Sequence, residues 1–310
     1  MERSNQVQAP VKLCRFFHPH QGVRVGQVVA GQVYDLTASG LAPCQSLAAL
    51  LQASTEMPIA TLLQEVDKTK LPVYPYSELD RTPDRRAPHL LPPVDRQEIW
   101  AAGVTYHQSR EARMREARNQ SVYSQVYEAA RPELFFKSTP EKVVGPNDWI
   151  GIRGDSHWSV PEPELALTVN PTMQIVGYTI GNDVSSRDIE GENPLYLPQA
   201  KIYRHACAVG PVIVLADSGI NAHDLTIRLT IRKGNRLRFR GEVSTGQMRR
   251  SLEELVGYLA RYNDFPHGVI LLTGTGIVPD DDVALEEGDQ VEIEIEGIGI
   301  LRNWVKRMEQ

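Results

Sequence analysis

A chain of 310 residues, 41% hydrophobic and 23% charged, can bury enough core to fold as one large domain, or one large and one small, without disulfides or a structural metal. Its formal net charge of −6 excludes the global basic footprint of a nucleic-acid binder, so the expected partner is a small molecule and an anionic one would need a local positive site. Cys14, Cys44 and Cys207 form no CxxC motif, the first residues lack the apolar stretch of a signal peptide, and no run of about eighteen apolar residues could span a bilayer; the expected location is the cytoplasm.

Residues 11–36 predict a small β meander: VKLCRFF, GVRVGQVV and GQVYDL are short, alternating and closed by glycine or polar turns. LAALLQA at 47–53 and IATLLQEV at 59–66 place apolar residues at helical spacing. The proline- and arginine-rich stretch from Tyr74 to Asp95 cannot propagate a helix or a central strand. It reads as an extended linker and sets a boundary near residue 92, with a small domain over 1–92 and a catalytic domain over 93–310.

From His107 to Ala130 the chain is dense in Arg, Glu, Gln and Ala, and its pattern predicts a helix flanking the site. After Arg131 short apolar runs alternate with Gly, Pro and Asp, with one clear helical segment, MRRSLEELVGYLARYN. That rhythm predicts a largely antiparallel curled sheet or barrel, and a β-rich α+β class for the whole chain.

Two carboxylates one residue apart, Glu162 and Glu164 in VPEPELALTV, share one face of a strand. Asp183, ending the next apolar run QIVGYTIGND, could join them in a triad of hard oxygen ligands suited to Mg²⁺, Mn²⁺ or Ca²⁺. A solvated polar face is the ordinary alternative, and EIEIEG at 292–297 is an example of it. Pro161 and Pro163 around Glu162 favour a sheet rim instead.

Four further positions could carry chemistry. Lys201 in LPQAKIY is a snorkelling surface lysine or, beside a metal, a contact for a substrate carboxylate and a proton carrier. Glu133 in RPELFFK is an exposed strand start or a general acid or base. Arg187 in SSRD, next to Ser186, is a structural ion-pair partner or an anion contact. TGTGIV at 273–278, which contains Thr275, lacks the context of a phosphate fingerprint and reads as a tight loop whose backbone approaches something closely. His157, His205 and His267 have no zinc-motif spacing.

The strings PEPELAL, GYTIGNDVSSRD, QAKIY with the following VGP, LLTGTG and LEEGDQVEIEIEGIGILRNWV, in this order, resemble the fumarylacetoacetate hydrolase superfamily over residues from about 95 to 305. Within it, AAGVTY, RPELFFKSTP and ENPLYLPQAKIY are similar to the 2-keto-3-deoxy-D-arabinonate (D-pentonate) dehydratase branch. The resemblance implies a β-roll catalytic domain behind a smaller N-terminal α+β domain, assembled as a homodimer or homotetramer. It implies Mg²⁺ on Glu162, Glu164 and Asp183, with Glu133 and Lys201 catalytic and Ser186, Arg187, Lys201 and Thr275 toward the substrate.

Hydrolases of the superfamily carry a pattern like Tyr-x-x-His-x-x-Glu, whose histidine activates water. Here the matching positions after Tyr106 are Ser109 and Ala112, while His107 and Glu111 form at most a dyad shifted out of register. The expected reaction is therefore elimination of water from a 2-keto-3-deoxy sugar acid through a metal-stabilised enolate, giving 2,5-dioxopentanoate. The alternatives are an acylpyruvate-type C–C hydrolase or an oxaloacetate decarboxylase, a Schiff-base aldolase using Lys201, and a binding module without chemistry.

Overall fold

The structure, a computed structural model, describes residues 10–107, 126–280 and 282–309. The expected meander is present as β1 (Lys12–His18), β2 (Gly22–Val29) and β3 (Gln32–Asp35). Ala30 and Gly31 between β2 and β3 both hold positive φ, as two-residue hairpins require. Ser46 caps the helix Leu47–Ala53 by accepting from the Ala49 N–H at 3.0 Å. The second expected helix is regular only over Ile59–Leu62, though Leu63 and Val66 beyond it are also buried. The segment from Tyr74 to Asp95 is mainly extended and adds β4 (Val73–Pro75) and β5 (His89–Leu91), with one helical turn at Tyr76–Leu79.

The boundary expected near residue 92 falls between β5 and β6 (Glu98–Gly103), and backbone pairing crosses it. Lys12 and Leu13 of β1 pair with Val214 and Ile213 of β14 (Cys207–Leu215), so the meander extends the sheet of the larger half. The other strands of that half are β7 (Glu133–Ser138), β8 (Val143–Val144), β9 (Trp149–Arg153), β10 (Ser159–Val160), β11 (Pro163–Val169), β12 (Ile175–Asp183) and β13 (Ser185–Ser186). After β14 come β15 (Thr226–Lys233), β16 (Arg236–Ser244), β17 (Val269–Leu272), β18 (Asp289–Ile295) and β19 (Gly299–Met308).

The large sheet runs β4-β3-β2-β1-β14-β12-β11-β17-β6-β7, and a second sheet runs β16-β15-β18-β19-β9. Among the described residues neither ladder closes into a barrel, and β17·β6, β14·β8 and β19·β9 are parallel within otherwise antiparallel sheets. The main core lies between the two sheets, where Leu165, Leu167 and Val214 meet Ile227, Leu229, Val291 and Ile293. The N-terminal helices cover part of the opposite face of the large sheet, packing Leu47, Leu50 and Leu62 on Leu13, Ile213 and Leu215. With cover on both sides, β11 is buried along its whole length, which is why ELALTV is a continuous apolar run rather than an alternation.

The one clear helical segment downstream is regular over Leu252–Leu259, capped by Ser251 and burying Leu252, Leu255, Val256 and Leu259. The helix expected over residues 107–130 lies mostly outside the described residues. Glu111, and with it the shifted dyad, lies there too. No described helix is long and apolar enough to cross a membrane.

Candidate active site

The β11–β12 hairpin assembles the carboxylates through its register. Glu164 stands opposite Gly181, and the Asp183 N–H donates to the Glu162 carbonyl at 3.0 Å, so Glu162 stands opposite Asp183. Directly opposed residues point to the same face, as do residues two apart. Glu162, Glu164 and Asp183 therefore converge at one strand end, and each can offer an oxygen within 4.8 Å of the others. All three are buried, at 4%, 1% and 1% exposure, which rules out the solvated-face alternative.

Burial of three carboxylates requires counter-charge. Arg187 Nη2 donates to Glu162 Oε1 at 2.8 Å, and Lys201 Nζ donates to Glu162 Oε2 at 2.8 Å, Asp183 Oδ2 at 2.7 Å and Ser185 Oγ at 2.6 Å. Lys201 is thus no surface lysine. It ends the short helix Leu197–Lys201 and is 3% exposed, with its ammonium 5.5 Å from the Phe135 ring centroid. Arg187 opens the helix Arg187–Glu192, which turns Glu190 into the same cavity three residues later.

Glu164 is held differently. Its Oε2 accepts from the Gly274 N–H at 2.5 Å, the close backbone approach expected of the TGTGIV loop. Gly274 has φ +94, and a Cβ there would collide with Thr105 Oγ1. Burial, followed by the neighbouring carboxylates of Asp183 and Glu162, pushes the Glu164 pKa well above its ordinary value, against the pull of the Gly274 N–H and Lys201.

The remaining expected residues are distributed as follows. Glu133 and Thr275 line the cavity with the triad, Arg187 and Lys201. Thr275 Oγ1 donates to the Ile277 carbonyl at 3.2 Å. Ser186 is buried 3.5 Å from the Ser159 hydroxyl and is not among the cavity-lining residues; its neighbour Ser185 is the serine that meets Lys201. Three participants escaped the sequence reading: Lys137 (whose Nζ pairs with Asp183 Oδ1), the cavity-lining Glu190, and Ser185, which meets Lys201. The first two had usable signals, since Lys137 lies four residues after Glu133 on a strand and Glu190 three after Arg187 on a helix. Cys207, paired with Asp183 across β12 and β14, has its thiol pushed up to about 12 by burial and offers no thiolate ligand or nucleophile.

The donor set fits a hard divalent cation. Among the described residues at the cavity, five carboxylates, Glu133, Glu162, Glu164, Asp183 and Glu190, stand beside three cations, Arg187, Lys201 and Lys137, an acidic excess of the kind a divalent ion suits. Three carboxylate oxygens with no imidazole or thiolate in the group favour magnesium-like over zinc-like ions.

Residues 98–306 match the family described as fumarylacetoacetate (FAA) hydrolase C-terminal. The chain belongs to the fumarylacetoacetate hydrolase family. Among relatives in this family, a probable 2-keto-3-deoxyxylonate dehydratase of Haloferax volcanii is 51% identical over 217 residues, covering 70% of this chain and 75% of the relative. A 2-dehydro-3-deoxy-D-arabinonate dehydratase of Saccharolobus solfataricus is 47% identical over 222 residues, covering 70% and 74%. The solved structure of a 2-keto-3-deoxy-D-arabinonate dehydratase complexed with magnesium and 2,5-dioxopentanoate superposes with a TM-score of 0.81 at 37% identity, covering 96% of this chain and all of that one. The likeness extends over the N-terminal meander as well as the family domain of the larger half.

Proposed function

We propose that this chain is a magnesium-dependent hydro-lyase that removes water from a 2-keto-3-deoxy pentonate to give 2,5-dioxopentanoate. The observation that carries the reading is the buried Glu162–Glu164–Asp183 triad bridged by Lys201, in a chain about half identical over its matched residues to two dehydratases of such acids.

Glu162, Glu164 and Asp183 would hold Mg²⁺, with Mn²⁺ or Ca²⁺ as substitutes of the same hard-oxygen chemistry. When bound, the ion supplies Lewis-acid polarisation of the 2-keto acid, which acidifies the C3 protons. The chain's own groups then move protons. Lys201 and Glu133 form the acid–base pair: one removes a C3 proton while the other protonates the departing C4 hydroxyl, and water leaves. The resulting C3–C4 alkene loses a proton at C5 and gains one at C3, and the C4–C5 enol takes a proton at C4 as its hydroxyl becomes the aldehyde. Arg187, which braces Glu162, and Thr275 at the cavity wall are the candidates for substrate contacts, together with Ser186 through its neighbour Ser185. The reading includes a cytoplasmic setting, consistent with three buried free thiols, and an assembly of two or four copies.

The test is incubation of the purified protein with Mg²⁺ and 2-keto-3-deoxy-D-pentonate, following the aldehyde product by NMR. Its formation, and its loss with EDTA, is expected. Cleavage of an acylpyruvate or decarboxylation of oxaloacetate in place of dehydration would overturn the assignment. Light scattering on the same preparation reports the number of copies.

A further inference from the structure

Strand β7 carries ELFFKS, and its two-residue period puts Glu133, Phe135 and Lys137 on one face. Glu133 and Phe135 line the cavity; Lys137 lies deeper, 1% exposed at the residue level and with a fully covered side chain. An ammonium has three donors and no acceptor. Here Nζ forms an ion pair with Asp183 Oδ1 and donates to the Val184 carbonyl at 3.1 Å and the Lys201 carbonyl at 2.6 Å. The last belongs to the final residue of the helix Leu197–Lys201, where carbonyls lack a donor within the helix.

We propose that Lys137 is a positioning residue that sets two working groups at once: it fixes the Asp183 carboxylate from the side opposite Lys201, and it anchors the backbone from which Lys201 reaches Glu162 and Asp183. The argument rests on the reading of this cluster as a metal-dependent active site. Asp183 has one oxygen on Lys137 and the other on Lys201, so the two ammonium groups leave its carboxylate plane little freedom. A neutral side chain at 137 would remove one of the two charges that hold the Asp183 carboxylate, and an apolar one would also remove the N–H donated to the Lys201 carbonyl. A buried ammonium is expensive to desolvate, and a methionine would fill the same slot more cheaply, so packing alone does not account for a lysine there.

The experiment is calorimetric Mg²⁺ titration of the metal-free protein beside steady-state kinetics, for wild type, Lys137→Met and Lys137→Gln. The glutamine keeps N–H donors for the two carbonyls and removes only the charge, so it serves if the methionine variant does not fold. For folded variants, Mg²⁺ affinity should fall about ten- to hundredfold, the usual effect of removing a partner of a metal ligand. At saturating Mg²⁺, kcat should stay depressed in Lys137→Met, because Lys201 has also lost its anchor, and should recover in part in Lys137→Gln. Wild-type Mg²⁺ affinity and kcat in a folded Lys137→Met or Lys137→Gln would overturn the proposal while leaving the metal-site reading intact. Absence of Mg²⁺ binding in the wild type would instead remove the site reading itself.

Discussion

Gly274 shows how much of the site rests on one absent side chain. Its N–H reaches Glu164 Oε2 because the backbone at φ +94 brings the TGTG loop against Thr105 and the Ala102 carbonyl, with no room for a Cβ. Gly274→Ala should therefore cost at least about 1–3 kcal/mol for the conformation alone, read as a lower denaturation midpoint in urea. It should also weaken Mg²⁺ binding, because the loop must retreat from Glu164. A variant with wild-type midpoint and wild-type Mg²⁺ affinity would show that the close approach is dispensable. Legibility in the sequence divides along the same line. The Glu162–Glu164 spacing is local and visible, since period two holds on any strand. The role of Gly274 depends on a contact across 110 residues with Glu164, and no local pattern encodes which oxygen its N–H will meet. Lys137 is an intermediate case, because its face follows from the strand period once Glu133 is placed, but its partner Asp183 does not.

At the level of elements, two strand pairs do the positioning: β11 with β12 for the carboxylate triad, and β6 with β7 for Glu133. The first pair was legible, because consecutive apolar runs separated by a short turn predict a hairpin and Asp183 then falls at its open end. The second was not, because the segment joining β6 to β7 hides their antiparallel pairing, and β6 meets β17 in parallel only through a distant part of the chain. Lys201 ends a helix, and its carbonyl there accepts from Lys137 Nζ at 2.6 Å, a long-range contact that no local pattern around QAKIY encodes. Gly103 of β6 pairs directly with Glu133 of β7, and a Cβ on Gly103 would strike the Glu133 carboxylate. Gly103→Ala should displace that carboxylate by about an ångström and lower kcat/KM by about a hundredfold. If the loss acts through Glu133, adding Gly103→Ala to Glu133→Ala should cost almost nothing more. Independent, additive losses in the double variant would mean that Gly103 acts elsewhere.

For the whole molecule, the proposed metal site would couple folding, protons and metal. Burial and two neighbouring carboxylates raise the Glu164 pKa above its ordinary 4.5, so the fold without metal prefers this group protonated. The contribution of Glu164 to stability is then fully present below its unfolded value and is lost as pH rises through its raised folded value. Magnesium held as proposed would reverse the preference, because only the ionised carboxylate can serve as a ligand. Across the window from 4.5 up to the raised value, Mg²⁺ affinity should climb with pH and each bound ion should release part of a proton. Calorimetry in two buffers of different ionisation heat measures that proton directly; equal apparent enthalpies in the two buffers, with an affinity flat in pH, would refute the coupling. The same linkage sets the gain in stability. At a free Mg²⁺ concentration one hundred times Kd the folded state should gain about 2.7 kcal/mol, and EDTA should remove it. Glu164→Gln mimics the protonated ligand, so its metal-free form should lose the pH-dependent decline while its Mg²⁺ gain falls toward zero. That pairing separates a carboxylate kept for metal from one kept for packing, since a packing role would leave the Mg²⁺ gain of Glu164→Gln intact.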